Sequence, residues 1–368
     1  MKRTCLCLTL SIFITLIAAC NGQPTTQEAP QGENTTNDLS EENATNQEND
    51  TDSAAYQVPR FPAFSPAPRH VELIEDRGDT LLVRHNMGET EVPKNPQRVY
   101  VNTNIEVPVA LGFDVVGGWY GSWQPVPPAF EEATQDAEIV DWSEVPNYEF
   151  VASLEPDLIF HWDNSGDPEV YELLSEIAPT IRFEADPFVY WREATLDLAT
   201  VFGMEETAKT LLTEYDTTVV AQCERIRSVI DDDTIDLVTV YEDSFHLVGP
   251  VWEQAEGFYT PSAYSIWAYR DCQLLPGAEV EELVGVQGSM QLSLEAIAEL
   301  ESEHLFVMQS IGQNETLEDI LDEPLWQTLP AVQNGNVYLI EQIGAMGYYS
   351  GIYTLELAAD AISGVNRE

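Results

Sequence analysis

The chain has 368 residues, room for two domains and a tail at roughly 100–200 residues per domain. It carries 64 acidic against 15 basic residues, a formal charge of −49; this excludes a generic nucleic-acid binder, because counterion release needs clustered Lys and Arg. Hydrophobic residues at 44% are ample for a packed core, and a surface with three lysines (Lys2, Lys94, Lys209) and so many acids suits hydration in high salt, where self-repulsion is screened.

In chain order, Lys2 and Arg3 precede an apolar run from Leu6 to Ala19. At about 14 residues it is too short to cross a hydrocarbon core of about 30 Å as a helix, so residues 1–19 read as an export signal. Ile17-Ala-Ala-Cys20 resembles the bacterial lipobox, in which cleavage leaves the cysteine at the new N-terminus to carry lipid. Cys20 is therefore the expected lipidation site. Asn21 to Asp52 holds no aromatic and no basic residue and cannot bury enough surface to offset chain entropy; residues 20–58 are an expected acidic tether. Cys5 and Cys7 leave with the signal. Cys223 and Cys272 remain, too far apart for a CxxC motif, and are either a disulfide or two buried thiols.

The globule begins with a hairpin, Val71–Ile74 and Thr80–His85 around Gly78. Arg98–Val101 reads as a buried strand and Val107–Leu111 as a helix stopped by Gly112. Asp114–Val116 is a further strand running into a Gly117-Gly118 turn. Short apolar strands alternating with helices mean α/β with parallel sheets. Asn147 to Phe160 aligns without a gap on Ser293 to Phe306, with Glu149/Glu295, Ala152/Ala298, Leu154/Leu300, Glu155/Glu301 and Phe160/Phe306 identical. Asn147 and Ser293 are good N-caps, so each segment predicts a capped helix leading into a strand, with its Glu in the first turn where the dipole favours a carboxylate. Two lobes of similar build follow. Between them, Glu205 to Arg227 has no Gly or Pro and carries apolar residues at helical spacing, long enough to bridge the lobes and limit hinge bending.

Four runs now resemble a known family, the substrate-binding lipoproteins of iron-siderophore and cobalamin ABC importers, whose two lobes share one rigid helix. They are Val92-Pro-Lys-Asn-Pro-Gln-Arg-Val99, Ala110-Leu-Gly-Phe-Asp-Val-Val-Gly117, Val145-Pro-Asn-Tyr-Glu149 with Leu154-Glu-Pro-Asp-Leu-Ile159, and Leu329-Pro-Ala-Val-Gln-Asn-Gly-Asn-Val-Tyr338. The resemblance implies two Rossmann-like lobes at 59–204 and 229–368, a bridging helix at 205–228 and a ligand cleft between the lobes. It also implies that Glu149 and Glu295 meet arginines of a membrane permease. The implied protein is an extracytoplasmic, lipid-anchored monomer that captures an iron chelate, with cobalamin, haem or a free metal ion as alternative cargoes.

Ligands of open α/β sheets sit beyond the carboxyl ends of the strands. The loops there offer Asn102, Trp119, Tyr120, Trp142, His161, Trp162, Tyr241, Gln309, Met346 and Tyr349, an aromatic wall for a bulky, delocalised ligand. The family resemblance singles out Trp119, Trp142 and Trp162. No Arg or Lys lies between Arg98 and Arg182. Arg182, Arg192 and Arg270 are thus the candidate charge partners, and so few cations favour a neutral or positive ferric hydroxamate over an anionic chelate. No GxSxG, HExxH, Walker A or GxGxxG motif occurs, and the five histidines have no metal-ligand spacing. A passive binder with no catalytic residues and no cofactor is the expectation.

Overall fold

The structure, a computed structural model, describes residues 71–120, 125–140, 147–162, 168–184, 190–241, 244–250, 264–284, 288–309, 322, 324–341 and 347–364. Strands β1 (Val71–Asp76), β2 (Thr80–His85) and β3 (Gly88–Pro93) form an antiparallel sheet. The third strand is absent from the sequence reading. Its Glu89 and Glu91 face solvent and pair with Arg84 and Arg77, while Val92 alone is fully buried. Strand and loop therefore look alike in composition.

The first α/β lobe follows: β4 (Val99–Asn102), α1 (Glu106–Leu111), β5 (Val115–Trp119), α2 (Pro128–Ala133), β6 (Glu138–Val140), α3 (Tyr148–Ser153), β7 (Leu158–Trp162), α4 (Pro168–Ile177), β8 (Thr180–Phe183) and α5 (Trp191–Phe202). Its described strands lie in the order β6-β5-β4-β7-β8, all parallel. Gly112, in the left-handed region at φ 85°, ends α1 as expected. Gly117 and Gly118 correct the sequence reading: they lie within β5, not in a turn. A Cβ on Gly118 would sit 2.7 Å from the Val101 carbonyl and 2.8 Å from Ile105 Cδ1, and one on Gly117 2.6 Å from Leu154 Cδ1. The glycines let α1 and α3 close onto the sheet.

Helix α6 (Glu205–Ile230) bridges to the second lobe and extends past the predicted end. Its 26 residues span about 39 Å at 1.5 Å per residue. Ala208, Tyr215, Val219, Cys223, Ile226 and Ile230 are its buried stripe. Thr210, Thr213, Thr217 and Thr218 donate to carbonyls four residues back, so the polar face satisfies itself.

The second lobe contains β9 (Thr234–Tyr241), β10 (Ser244–Val248), a π-helical turn (Ile266–Asp271), β11 (Leu275–Pro276), α7 (Ala278–Val284), β12 (Ser289–Leu292), α8 (Leu294–Ile297), β13 (His304–Gln309), α9 (Pro330–Asn334), β14 (Val337–Glu341) and α10 (Tyr348–Ile362). Its sheet runs β12-β10-β9-β13-β14 with β11 paired to β9. Here β9, β13 and β14 are parallel, but β10 returns antiparallel directly after β9. The molecule thus has two α/β lobes joined by a single long helix, the first sheet parallel and the second mixed. Cys223 on α6 and Cys272, just after the π-helical turn, are joined in a disulfide. Among the described residues no helix is long and apolar enough to cross a membrane.

Candidate functional site

The register of the first sheet brings together side chains that lie far apart in sequence. Asn102 is directly paired with His161, and His161 with Arg182; Trp119 follows Gly118, the partner of Val101. Neighbours in register on parallel strands point to the same face. Trp119, Asn102, His161 and Arg182 therefore form one row across β5, β4, β7 and β8 at the carboxyl edge. All four are buried. The Asn102 amide donates to His161 Nδ1 (2.9 Å), which leaves the ring proton on Nε2. Arg182 donates from Nη1 to Met87 Sδ (3.0 Å), so the hairpin sheet supports the far end of the row. Its charge, after burial itself, holds His85 down to about 4.

Immediately beyond Asn102 the backbone is strained. Thr103 has φ 87° and Asn104 φ 48°, and a β-branched residue in that region is a genuine outlier of the sort that clusters at ligand sites. Asn104 is buried.

The other sequence candidates separate from this row. Trp162 is one position past His161, so strand alternation turns it to the opposite face. There it stacks on Phe183 (centroids 4.2 Å apart, planes at 8°) within the aromatic core. Its assignment to the ligand wall is corrected on that ground. Tyr120 packs on Phe130 at 4.8 Å, and Phe130 on Tyr349 at 5.6 Å; these two tyrosines meet around Glu106, which the sequence reading did not select. Gln309, half-buried, ends β13 opposite Glu341. Tyr241 ends β9. Trp142, Met346 and Cys20 lie outside the described residues.

Of the candidate cations, Arg192 pairs with Asp216 (2.8 Å) and lies over the rings of Trp191 and Tyr215. Arg270 pairs with Asp271 (2.8 Å), whose other oxygen accepts from Tyr215 Oη (2.7 Å). Burial alone would lower the Arg270 pKa, but Asp271, Tyr215 and Glu193 together outweigh it and hold it above the ordinary value. Both charges are already compensated within the protein. Among the described residues no cluster of three or more His, Cys, Asp or Glu could hold a metal ion.

The two repeated helix–strand units keep their expected build. Asn147 Oδ1 accepts from Phe150 N (3.0 Å) at the start of α3, and Ser293 Oγ from Ala296 N (3.3 Å) at the start of α8. α3 leads into β7 and α8 into β13. Glu149 and Glu295 sit in the first turns and are exposed. Backbone N–H at Glu295 and the Ser293 hydroxyl hold the Glu295 carboxyl below its usual range.

Two α/β lobes on one long helix, with polar and aromatic side chains gathered at the carboxyl ends of the strands, define a bilobed binding protein. The sequence profile of the periplasmic binding protein family matches residues 103–343, and the chain belongs to that family. It is 25% identical over 284 residues to the iron(3+)-hydroxamate-binding protein FhuD of Bacillus subtilis (strain 168), covering 76% of this chain and 84% of that one. It is 26% identical over 278 residues to the putative ABC transporter substrate-binding lipoprotein YhfQ of the same organism, covering 71% and 81%. In fold it is similar to Staphylococcus aureus SirA complexed with staphyloferrin B. That likeness has a TM-score of 0.57 at 24% identity, over 74% of this chain and 95% of SirA.

Proposed function

We propose that this chain is the substrate-binding component of an ABC importer, capturing a ferric siderophore outside the cytoplasmic membrane and delivering it to a permease. The observation that carries the reading is the pair of helix–strand units. Each lobe offers one exposed glutamate, Glu149 or Glu295, at the start of an equivalent capped helix. Arginines of a permease would meet them through charge-assisted hydrogen bonds, which are short-ranged enough to survive high salt. The cargo would be held between the lobes beside the Trp119–Asn102–His161–Arg182 row, with Tyr120, Tyr349 and Gln309 at its margin.

A ferric hydroxamate fits this setting better than a strongly anionic chelate. Arg192 and Arg270 are each engaged by an aspartate, so a multiply charged guest would have Arg182 of the row alone or would have to displace those pairs. The likeness to the hydroxamate-binding FhuD points the same way. Lipid on Cys20 and the acidic tether of residues 20–58 would keep the binder at the outer face of the membrane.

Replacing both Glu149 and Glu295 with Lys in a cell that depends on this chain for iron tests the assignment. Uptake of the ferric siderophore should stop while the purified variant binds it with unchanged affinity. Undiminished uptake would remove the docking role.

A further inference from the structure

Glu106 opens α1 in the first lobe between Ile105 and Val107, and it is 1% exposed. Among the described residues no Lys or Arg pairs with it. Its Oε2 instead accepts from the backbone N–H of Tyr349 (2.9 Å) and Ser350 (3.0 Å), in the first turn of α10 in the second lobe. Its Oε1 lies 3.5 Å from Tyr120 Oη. Gly347, just before α10, makes room for the carboxylate: a Cβ there would sit 2.7 Å from both Cβ and Oε2 of Glu106. The Gly347 N–H donates to Ser350 Oγ (3.1 Å), closing the turn around it. The rings of Tyr120, Phe130 and Tyr349 pack on one another in series, Tyr120 on Phe130 and Phe130 on Tyr349.

A carboxylate sealed in an apolar setting without a cation is unfavourable, and a helix N-terminus offsets only part of that. The arrangement tolerates a proton well. With hydrogen on Oε1, Oε2 remains a carbonyl acceptor for both N–H groups, and the new O–H faces the Tyr120 oxygen.

We propose that Glu106 is a proton-linked latch between the lobes, positioning Tyr120 and Tyr349 beside it and holding α1 against α10 most tightly when protonated. Burial pushes its carboxyl up to about 7, against the opposing pull of the Ser350 N–H and hydroxyl, the Tyr349 N–H and Tyr120. Any separation of α1 from α10 admits water, returns the group to the ordinary carboxyl range and releases the proton. By linkage, the proton opposes separation most at low pH, and that opposition is lost progressively as pH rises from the ordinary carboxyl range to about 7, above which it no longer changes. The ionisable groups facing the carboxyl are Tyr120 from the end of β5 and Tyr349 from α10. On α5 and α6, which also pack on α1, Arg192 is paired with Asp216, Glu214 with Tyr348 and Tyr215 with Asp271.

Amide hydrogen exchange at Tyr349 and Ser350 of the ligand-free protein, corrected for intrinsic rates between pH 5.5 and 9, tests the latch. Protection should fall as pH rises from 5.5 towards 7, by up to about tenfold per pH unit for one released proton, and level off above it. Glu106→Gln keeps the acceptor without the ionisation and should give a flat profile. A flat wild-type profile, or a slope that persists in E106Q, overturns the proposal. Should E106Q not fold, the carboxyl carbon resonance of Glu106 in the wild type decides: a midpoint near 7 supports the latch, and one in the ordinary carboxyl range overturns it. No ligand enters either measurement, so an error in the proposed cargo leaves the outcome unaffected.

Discussion

The two lobes start from the same helix–strand unit and finish it differently. In the first, β7 continues an all-parallel sheet, and its register lines up Trp119, Asn102, His161 and Arg182 at the carboxyl edge. In the second, β13 joins a mixed sheet, because β9 turns straight back into β10 instead of crossing through a helix. Each lobe buries a carboxyl, at opposite positions. Glu106 lies where the lobes meet, whereas Asp236 lies near the start of β9 beside Gly277, Ser302 and Glu279. The lesson is a division of labour: the first lobe supplies a shaped polar edge, and the second is tied to the bridging helix.

That tie gives the largest expected effect. Replacing Cys223 and Cys272 with Ser removes a cross-link spanning 49 residues, worth about 4 kcal/mol on the chain-entropy estimate. Thermal unfolding should drop sharply, with exchange rising in the π-helical turn and the second sheet before the first. Uniform loosening of both lobes would erase the distinction.

Next comes pH. Burial, then the nearby Glu279, pushes Asp236 up to about 7. An acid whose folded pKa is raised contributes stability at low pH that is lost as pH climbs from the ordinary carboxyl range through 7, at about 1.4 kcal/mol per pH unit at most. Glu106 acts in the same direction. Melting temperatures between pH 5 and 8 should therefore fall with rising pH, and Asp236→Asn should flatten part of the slope. An unchanged slope would place Asp236 in contact with water.

Gly118→Ala in the first lobe should cost about 1–3 kcal/mol by overpacking, because its new methyl would meet the Val101 carbonyl at 2.7 Å, which cannot move aside. Gly249→Ala in the second should cost less, since it meets only the side chains of Val284 and Val280 at 3.0–3.2 Å. Chemical denaturation of the two variants compares them, and equal losses would contradict the packing argument. Smallest is the cap pair: Asn147→Ala should cost about 1 kcal/mol and Ser293→Ala less, since its hydrogen bond is longer and its helix only four residues.

Periodicity and caps carried much of the fold. The bridging helix, the hairpin and both repeat units were legible because burial stripes, N-caps and Gly112 act locally. What escaped depends on tertiary contact. β3 hides as a charged stretch because its outer face is solvated. Gly117 and Gly118 look like a turn until helices are packed on them. Trp162 looks like its neighbour His161 until alternation sends it into the core. Glu106 left one faint signal, a lone acid between Ile105 and Val107. Its meaning comes from a helix more than 200 residues away, which no local pattern reveals.

The most direct test of the account is a side-by-side titration of the purified chain with a ferric trihydroxamate and a ferric triscatecholate, followed by tryptophan fluorescence and calorimetry. The hydroxamate should bind saturably at one to one and the catecholate distinctly more weakly. Preference for the catecholate, or no binding of either, would contradict it.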